Sequence, residues 1–140
     1  PLFESQKNEG KPLTITDPNM TRFFMTLDQA VDLVLTALEY GINGDLFVYN
    51  NKACTIQQLA DCISDNQIIT GKRCTEKQHE ELLTVDEINN SRIIVDENNR
   101  TEIYVYNKNN QKLWNYTKAF TSNRAELFLP EELKEMIDKS

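Results

Sequence analysis

The sequence predicts a mixed α/β fold, with α+β as the alternative class. Up to residue 70, short apolar segments of strand type alternate with segments of helical periodicity, which is the pattern of α/β proteins. Beyond residue 70 the strands and helices follow one another irregularly, so α+β stays open. A chain of 140 residues has the size of one domain with a modest core. We therefore expect a single domain over residues 1–140.

The first seventy residues contain three helical segments and four segments of strand type. In order, we expect a helix end at 2–7, strands at 13–16 and 23–25, a helix at 27–40, a strand at 46–49, a helix at 56–63 and a strand at 67–70. The helix at 27–40 is the best defined, because Thr26 is a good N-cap and Gly41 a good stop. Its apolar residues repeat at three- and four-residue spacing and form one stripe: Ala30, Val31, Val34, Leu35 and Leu38.

The second half of the chain is predicted as short elements joined by polar loops. In order, we expect a helix at 78–83, a helical turn at 85–89, strands at 92–96 and 102–106, and a closing helix at 131–139. Thr84 and Glu87 have the spacing of a capping box, and Pro130 suits the first position of the last helix. The run DENNR between the two strands is a hairpin candidate.

Composition excludes several classes of partner and site. Acidic residues outnumber basic ones by 22 to 15, for a net charge of −7, which argues against nucleic acid. No apolar run approaches the ~20 residues of a membrane span. Three irregularly spaced cysteines and one histidine, His79, argue against a metal site and favour reduced thiols in the cytoplasm. Because residue 1 is proline, we expect a fragment or an excised domain.

Arg22 is the candidate binding residue that the sequence itself points to. It is the only arginine in the first seventy residues and stands between Thr21 and the pair Phe23-Phe24. A permanently charged guanidinium beside two phenylalanines requires an anionic partner, and its planar fork suits a phosphate or a carboxylate. The alternative is a structural ion pair with Asp17 or Asp28.

Four colinear segments resemble one known family. They are KPLTITDPNMTRFFMTLDQAVDLV (11–34), GDLFVYNNKACTIQQLA (44–60), GKRCTEKQHEELLT (71–84) and LFLPEELKEMI (127–137). They resemble the C-terminal part of the nucleotide-sugar 4,6-dehydratases and epimerases of bacterial polysaccharide synthesis, which are extended short-chain dehydrogenase/reductases. The resemblance implies a substrate-binding subdomain that lacks the Rossmann half, with a UDP-sugar of the UDP-N-acetylglucosamine type as ligand.

The resemblance also implies roles for individual residues. Arg22 resembles the family arginine that meets the pyrophosphate, and Arg73 resembles a second arginine that closes on it from a distant loop. Leu13 and Thr14 resemble the segment whose main chain recognises the base edge, and Phe3 is either part of that slot or of the core. Arg73 as a solvated loop charge stays an alternative. Thr75 stands where the family has glycine, and the segment between 60 and 71 is short for the family.

We expect no catalytic residue and no cofactor in this chain. Four glycines, Gly10, Gly41, Gly44 and Gly71, cannot form a dinucleotide-binding fingerprint. We also expect the chain to lack the Tyr-x-x-x-Lys pair that reductases of this superfamily use for proton transfer. NAD(P) would therefore be bound by the full-length parent, outside this chain.

Two functions follow from these expectations. The first is the substrate-binding portion of a UDP-sugar 4,6-dehydratase or epimerase, inactive alone and partnered by an upstream Rossmann half. The alternative is a non-catalytic remnant that binds a sugar nucleotide or a protein and pairs with a full-length homologue. The sugar, the choice between dehydration and epimerisation, and self-association into a homo-oligomer stay open.

Overall fold

The computed structural model describes residues 1–98 and 100–139, and in these residues the chain is a mixed α/β protein, as predicted. The described elements, in chain order, are α1 (Leu2–Asn8), β1 (Leu13–Ile15), β2 (Thr21–Phe23), α2 (Leu27–Tyr40), β3 (Leu46–Tyr49), β4 (Ala53–Thr55), α3 (Ile56–Asp61), β5 (Gln67–Ile69), β6 (Glu81–Leu83), α4 (Val85–Asn89), β7 (Ser91–Val95), β8 (Glu102–Tyr106), β9 (Phe120–Thr121) and α5 (Pro130–Lys139).

The described strands form four small sheets. The largest has the order β3-β8-β7 with antiparallel neighbours. The other three are pairs: β1 with β5 in parallel, and β2 with β4 and β6 with β9 in antiparallel orientation. The pairing of β1 with β5 places the end of β1 beside the loop that follows β5, and the Thr21 N–H bond to the Gln78 carbonyl places the start of β2 beside the far end of that loop.

The three-stranded sheet is packed on both faces, because neighbouring side chains on a strand point to opposite sides. On one face, Val48 and Tyr104 pack with Leu83 and Phe120. On the other face, residues of β3 and β8 form a second cluster, against which Leu33 of α2 packs. The sheet is therefore the central layer, with α2 on one side and the α4 and β6/β9 region on the other.

Elements defined by local signals lie where the sequence places them. The helix at 27–40 and the strands at 46–49 and 102–106 are found with the predicted bounds. The Thr26 hydroxyl accepts from Gln29 N–H, and the Gln29 side chain accepts from Thr26 N–H, which completes a capping box. The same reciprocal bonds join Thr84 and Glu87 at the start of α4. Strands β7 and β8 pair as the predicted hairpin, although Asn99 of its turn lies outside the described residues.

Elements that depend on distant partners were predicted less well. The helix expected at 78–83 is wrong, because Glu81–Leu83 is strand β6 and pairs with β9, some forty residues later. The second strand lies at Thr21–Phe23 instead of 23–25, where it pairs with β4. Strands β4 and β9 themselves were not predicted. Each has three residues or fewer, too few for a periodic pattern to be recognised.

The apolar stripe of α2 faces outward instead of towards the core. Val31, Val34, Leu35 and Leu38 are all exposed, from 49% at Val31 to 77% at Leu38. The helix meets the sheet through Leu33 on its opposite face. Helix α2 thus has apolar residues on two sides. The three- and four-residue spacing recognised in the sequence belongs to the side that the described residues leave uncovered.

We predict that two leucines of α2, two positions apart, respond differently to truncation. Leu33→Ala should lower the free energy of unfolding by about 1–3 kcal/mol, because it removes contacts with the sheet. The matched change Leu35→Ala should cost less than about 0.5 kcal/mol, because Leu35 is exposed. Urea unfolding of both variants measures the difference, and equal losses would contradict this orientation of the helix.

Candidate functional site

Arg22 reaches from β2 across to the loop formed by residues 70–80. Its Nη1 donates to the carbonyl oxygens of Thr21 at 2.7 Å and Gln78 at 3.3 Å, and its Nη2 donates to that of Lys77 at 2.8 Å. Its Nε lies 3.8 Å from a carboxylate oxygen of Glu80. The carboxylate beside Arg22 is therefore Glu80, and the pairing with Asp17 or Asp28 considered from the sequence is wrong.

The 70–80 loop is attached at its two ends to the two early strands. Thr70 N–H donates to the Ile15 carbonyl at 2.8 Å at the end of β1, and Thr21 N–H donates to the Gln78 carbonyl at 3.1 Å at the start of β2. Gly71 has a φ of +89°, which a residue with a side chain rarely adopts. The loop that contains Arg73 is thereby held next to the strand of Leu13 and Thr14 and next to Arg22.

A network of hydroxyl groups fixes the far end of this loop. The Thr21 hydroxyl oxygen lies 2.7 Å from His79 Nδ1 and 2.7 Å from the Ser122 hydroxyl. Ser122, which is fully buried, also accepts from Glu80 N–H at 2.8 Å and donates to the Thr21 carbonyl at 3.0 Å. The bond to Thr21 gives His79 a structural role at this end of the loop.

The loop concentrates positive charge on an acidic protein. Residues 71–80 include three basic side chains, those of Lys72, Arg73 and Lys77, against the carboxylates of Glu76 and Glu80. Arg22 adds a further positive charge at the same place, whereas the whole chain has a net charge of −7. A local excess of cationic side chains attracts anions, so the loop together with Arg22 favours an anionic ligand.

Arg73 is more open than Arg22. It is exposed, and its main-chain N–H donates to Glu76 at 3.2 Å. Within residues 1–98 and 100–139, we find no hydrogen bond or ion pair to the Arg73 guanidinium. Thr75 has no positive φ, since Arg100 is the non-glycine residue with positive φ among those described. The loop therefore takes a path that threonine tolerates, and Arg73 stays available to a ligand.

Leu13 and Thr14 are held by their own neighbours. Leu13 is fully buried, and its N–H donates to Asn66 at 2.8 Å. Thr14 N–H donates to Gln6 Oε1 at 3.1 Å, while Gln6 Nε2 donates to the Thr14 hydroxyl at 2.8 Å. The Gln6 amide thus offers Thr14 one donor and one acceptor, as the edge of a pyrimidine base does. A base bound to Thr14 would have to replace Gln6.

Phe3 lies beside an apolar cleft of about 430 Å³. Leu2, Phe24, Ile56 and Leu59 also line this cleft. The described residues that line this cleft include none of the four candidate binding residues, Arg22, Arg73, Leu13 and Thr14. Phe3 also packs against the cluster that contains Leu13, so it has a core position as well as a place in the cleft.

One tyrosine does have a lysine four residues later, so the expectation that this spacing is absent from the chain is wrong. Tyr104 is followed by Lys108, but Tyr104 lies in strand β8 and is 7% exposed, with its ring 5.6 Å from that of Phe120. Burial raises the pKa of Tyr104, whereas a proton-transfer tyrosine needs a lowered pKa. The spacing therefore forms no acid–base pair here.

The other groups with chemical potential are also placed for structure. Burial raises the pKa of the Cys54 thiol to about 11, so Cys54 is a neutral packing residue beside Phe128 and Leu133. Gly10 lies in the turn after α1, Gly41 and Gly44 lie in the connection between α2 and β3, and Gly71 lies in the 70–80 loop. The described residues include no cluster of metal-binding side chains and no helix long and apolar enough to cross a membrane.

Comparison with known proteins identifies one family and several relatives that carry the same name. Residues 1–105 match the family described as "Polysaccharide biosynthesis protein". The chain is 47% identical over 94 residues to "UDP-glucose 4-epimerase" of Rickettsia massiliae (strain Mtu5), and 46% identical over 94 residues to that of Rickettsia prowazekii (strain Madrid E). Each alignment covers 63% of this chain, and the chain spans 28% of the length of these relatives.

A solved structure shows the same fold. The X-ray structure of Pen from Bacillus thuringiensis matches 99% of this chain and 43% of its own with a TM-score of 0.80 and 26% identity. The chain thus accounts for less than half of the structure that it resembles. By its match over residues 1–105, the chain belongs to the polysaccharide biosynthesis protein family.

Proposed function

We propose that this chain binds the diphosphate of a UDP-sugar as the substrate-binding portion of a nucleotide-sugar epimerase or dehydratase. The observation on which this rests is the contact between Arg22 and the loop that contains Arg73. We call Arg22 and residues 71–77 the diphosphate site. It contains two arginines from distant parts of the sequence, and Lys72 and Lys77 belong to the same loop.

The physical argument is one of unbalanced charge. The three carbonyl oxygens around Arg22 orient its guanidinium but do not neutralise it, and Glu80 approaches only to 3.8 Å. One of the two Nη2 hydrogens goes to Lys77, which leaves the second for a phosphate oxygen. Arg73 supplies a second planar fork, the geometry that suits phosphate oxygens.

The uridine diphosphate group is the part of the substrate that we propose most directly. The resemblance in the sequence points to a sugar nucleotide of the UDP-N-acetylglucosamine type and to either 4,6-dehydration or epimerisation, whereas the matched relatives are named UDP-glucose 4-epimerases. Both substrates contain UDP, and the reactions all take place at the sugar ring. We take UDP-N-acetylglucosamine as the first substrate to test and UDP-glucose as the second.

We propose further that the chemistry needs a dinucleotide-binding half outside this chain. The glycines of this chain do not fit a dinucleotide, and the chain spans 28% of the length of its relatives. NAD(P) bound by that half would supply hydride transfer, while this chain binds and orients the substrate. The described cysteines are all free thiols, which suits a reducing compartment such as the cytoplasm.

A non-catalytic binding module is the second candidate. Thr75 in place of the family glycine supports it, because the change alters the loop that would surround the phosphates. Such a module would bind UDP, or a protein, without taking part in turnover. Turnover by a complex of this chain with a dinucleotide-binding half would exclude it.

We predict that Arg22→Lys weakens UDP binding to this chain by about ten- to a hundredfold. The ammonium group loses the planar fork, and one charge-assisted hydrogen bond is worth about 1.5–3 kcal/mol. Isothermal titration calorimetry with UDP, and with uridine as the ligand that lacks phosphate, measures the change.

The matched control is Arg92→Lys, because Arg92 is an arginine of β7 that pairs with Asp45, outside the diphosphate site. It should leave the UDP affinity unchanged. A large fall in melting temperature for Arg22→Lys together with unchanged UDP affinity would show that Arg22 serves only the fold.

We predict that UDP slows amide hydrogen exchange in residues 71–77. The loop is attached through Thr70 and Gln78, and the ligand should order the part between them. Arg73→Ala should abolish this protection without changing exchange in β2, which is paired with β4. Protection that is already high in the absence of UDP would contradict the prediction and identify a loop ordered by the fold.

We predict that the isolated chain neither binds NAD(P) nor converts UDP-sugars. The glycines do not form a phosphate cradle, and Tyr104 is buried in a strand. Fluorescence titration with NADH and a product assay with UDP-N-acetylglucosamine and UDP-glucose test both statements. Measurable turnover by the purified chain with added cofactor would contradict them.

A further inference from the structure

The segment between β8 and β9 is basic in an otherwise acidic protein. Residues 107–119, which we call the basic loop, contain no aspartate or glutamate and three lysines: Lys108, Lys112 and Lys118. The whole chain has a net charge of −7, so the rest of its sequence is more acidic still. The loop also lies beyond residues 1–105, which match the family. A role for this loop would therefore be additional to the binding of UDP.

The basic loop has a fixed path although it contains no helix or strand. The carbonyl of Asn89, the last residue of α4, accepts from the Leu113 and Trp114 N–H groups at 2.8 and 3.2 Å. The Asn89 side chain accepts from Tyr116 N–H at 2.6 Å and donates to the Tyr116 carbonyl at 2.9 Å. The Trp114 indole N–H donates to the Ser91 carbonyl at 2.8 Å. Because Asn89 is buried, these bonds hold the loop firmly against the end of α4.

Three large side chains of the basic loop are open to solvent. Leu113 is 55% exposed, Tyr116 42% and Trp114 39%, and the ring centroids of Trp114 and Tyr116 lie 6.2 Å apart. The single polar atom of the indole is already bonded to Ser91, so Trp114 offers apolar ring atoms to a partner. Adjoining exposed apolar side chains are typical of an interaction surface.

The three lysines of the basic loop keep their charge available. All three are exposed, and within residues 1–98 and 100–139 we find no hydrogen bond or ion pair to their ammonium groups. Helix α4 has two acidic residues in its first turn, whereas the loop is bonded to its last residue. Other lysines of the chain pair with carboxylate oxygens at 2.6–2.9 Å: Lys11, Lys52 and Lys139.

This combination of side chains fits the surface of an anionic lipid bilayer. Tryptophan and tyrosine are favoured at the level of the lipid headgroups, where apolar and polar surroundings meet. Leucine adds apolar area, and lysines are attracted to negatively charged headgroups. The acidic remainder of the chain is repelled by the same headgroups, which favours an orientation with the basic loop towards the bilayer. Residues 71–77 are also basic, but they include no aromatic or large apolar side chain.

A protein or a nucleic acid fits the basic loop less well. Three adjoining apolar side chains are far fewer than the roughly 20–30 residues that a stable protein interface uses on each side. A net charge of −7 opposes the approach of a nucleic acid, which offers phosphates without an apolar layer. A bilayer differs from both, because even a few side chains can insert at its apolar boundary.

We propose that the basic loop attaches this chain reversibly to the surface of an anionic lipid bilayer. Leu113, Trp114 and Tyr116 lie at the level of the headgroups, and the three lysines lie beside the lipid phosphates. Binding is weak and reversible, because a few interfacial side chains and three charges supply it. The attachment is independent of the proposed function, since the loop contains no residue of the diphosphate site.

The fluorescence of Trp114 tests this attachment directly, because Trp114 is the only tryptophan of the chain. Vesicles of phosphatidylglycerol and phosphatidylcholine in equal parts should shift its emission to shorter wavelength and should sediment with the chain. Vesicles of phosphatidylcholine alone should do neither, and high salt should reverse the effect because it screens the attraction. Unshifted emission with the anionic vesicles overturns the proposal. A shift with soluble polyglutamate that the vesicles do not produce also overturns it, in favour of an acidic protein.

Two variants of the basic loop, each with a matched control, locate the contact. Lys112→Glu should weaken vesicle binding about fivefold or more, which is the factor expected for one lysine near an anionic surface. Lys7→Glu, the same change at an exposed lysine of α1, should leave binding unchanged. Leu113→Ser should also weaken binding, whereas Leu38→Ser, at an exposed leucine of α2, should not. Melting temperatures should stay the same, because all four side chains are exposed.

Two results with these variants contradict the proposal. Equal losses of vesicle binding with Lys112→Glu and Lys7→Glu would show a general effect of net charge. A loss with Leu38→Ser that Leu113→Ser does not cause would show that the exposed face of α2 makes the contact. Either result overturns the assignment of the bilayer contact to the basic loop.

Discussion

The contact between the Arg22 guanidinium and the 70–80 loop is the interaction on which the rest of the site depends. It joins β2 to the carbonyl oxygens of Lys77 and Gln78, and Gln78 also accepts from the main chain of Thr21. Segments more than fifty residues apart are thereby held at hydrogen-bonding distance. Among the described residues, removing the guanidinium would leave the Lys77 carbonyl without a donor, whereas the Thr21 and Gln78 carbonyls would keep the donors of Ser122 and Thr21. The same contact holds Arg22 against the loop that contains Arg73.

A fold-stabilising arginine and a ligand-binding arginine are compatible in this geometry. Neutral carbonyl groups orient the guanidinium without cancelling its charge, and a carboxylate at 3.8 Å offsets that charge only in part. Preorientation lowers the entropic cost of binding, because the fork does not have to be fixed when the ligand arrives. The hydroxyl network of Thr21, Ser122 and His79 fixes the loop end from the other side.

The sequence predicts those features that depend on neighbouring residues. Thr26 with Gln29 and Thr84 with Glu87 are capping boxes whose partners lie three residues apart, and both helices start where they predict. Strand β6 was missed because its partner, β9, is distant. The ion pair of Arg22 with Glu80 joins residues 58 positions apart, and the bond of Thr21 with Ser122 joins residues 101 positions apart. No spacing rule indicates such partners. Periodicity located the stripe of α2, but it could not show which of two apolar faces meets the sheet.

The most direct test of the central claim is a titration of the ¹⁵N-labelled chain with UDP, followed by the side-chain Nε–H signal of Arg22. The account predicts that this signal and the amide signals of residues 71–77 shift together and saturate at the same UDP concentration, while uridine leaves them in place. Shifts confined to residues of the apolar cleft, such as Phe3 and Leu59, with the Arg22 signal unmoved, would contradict it.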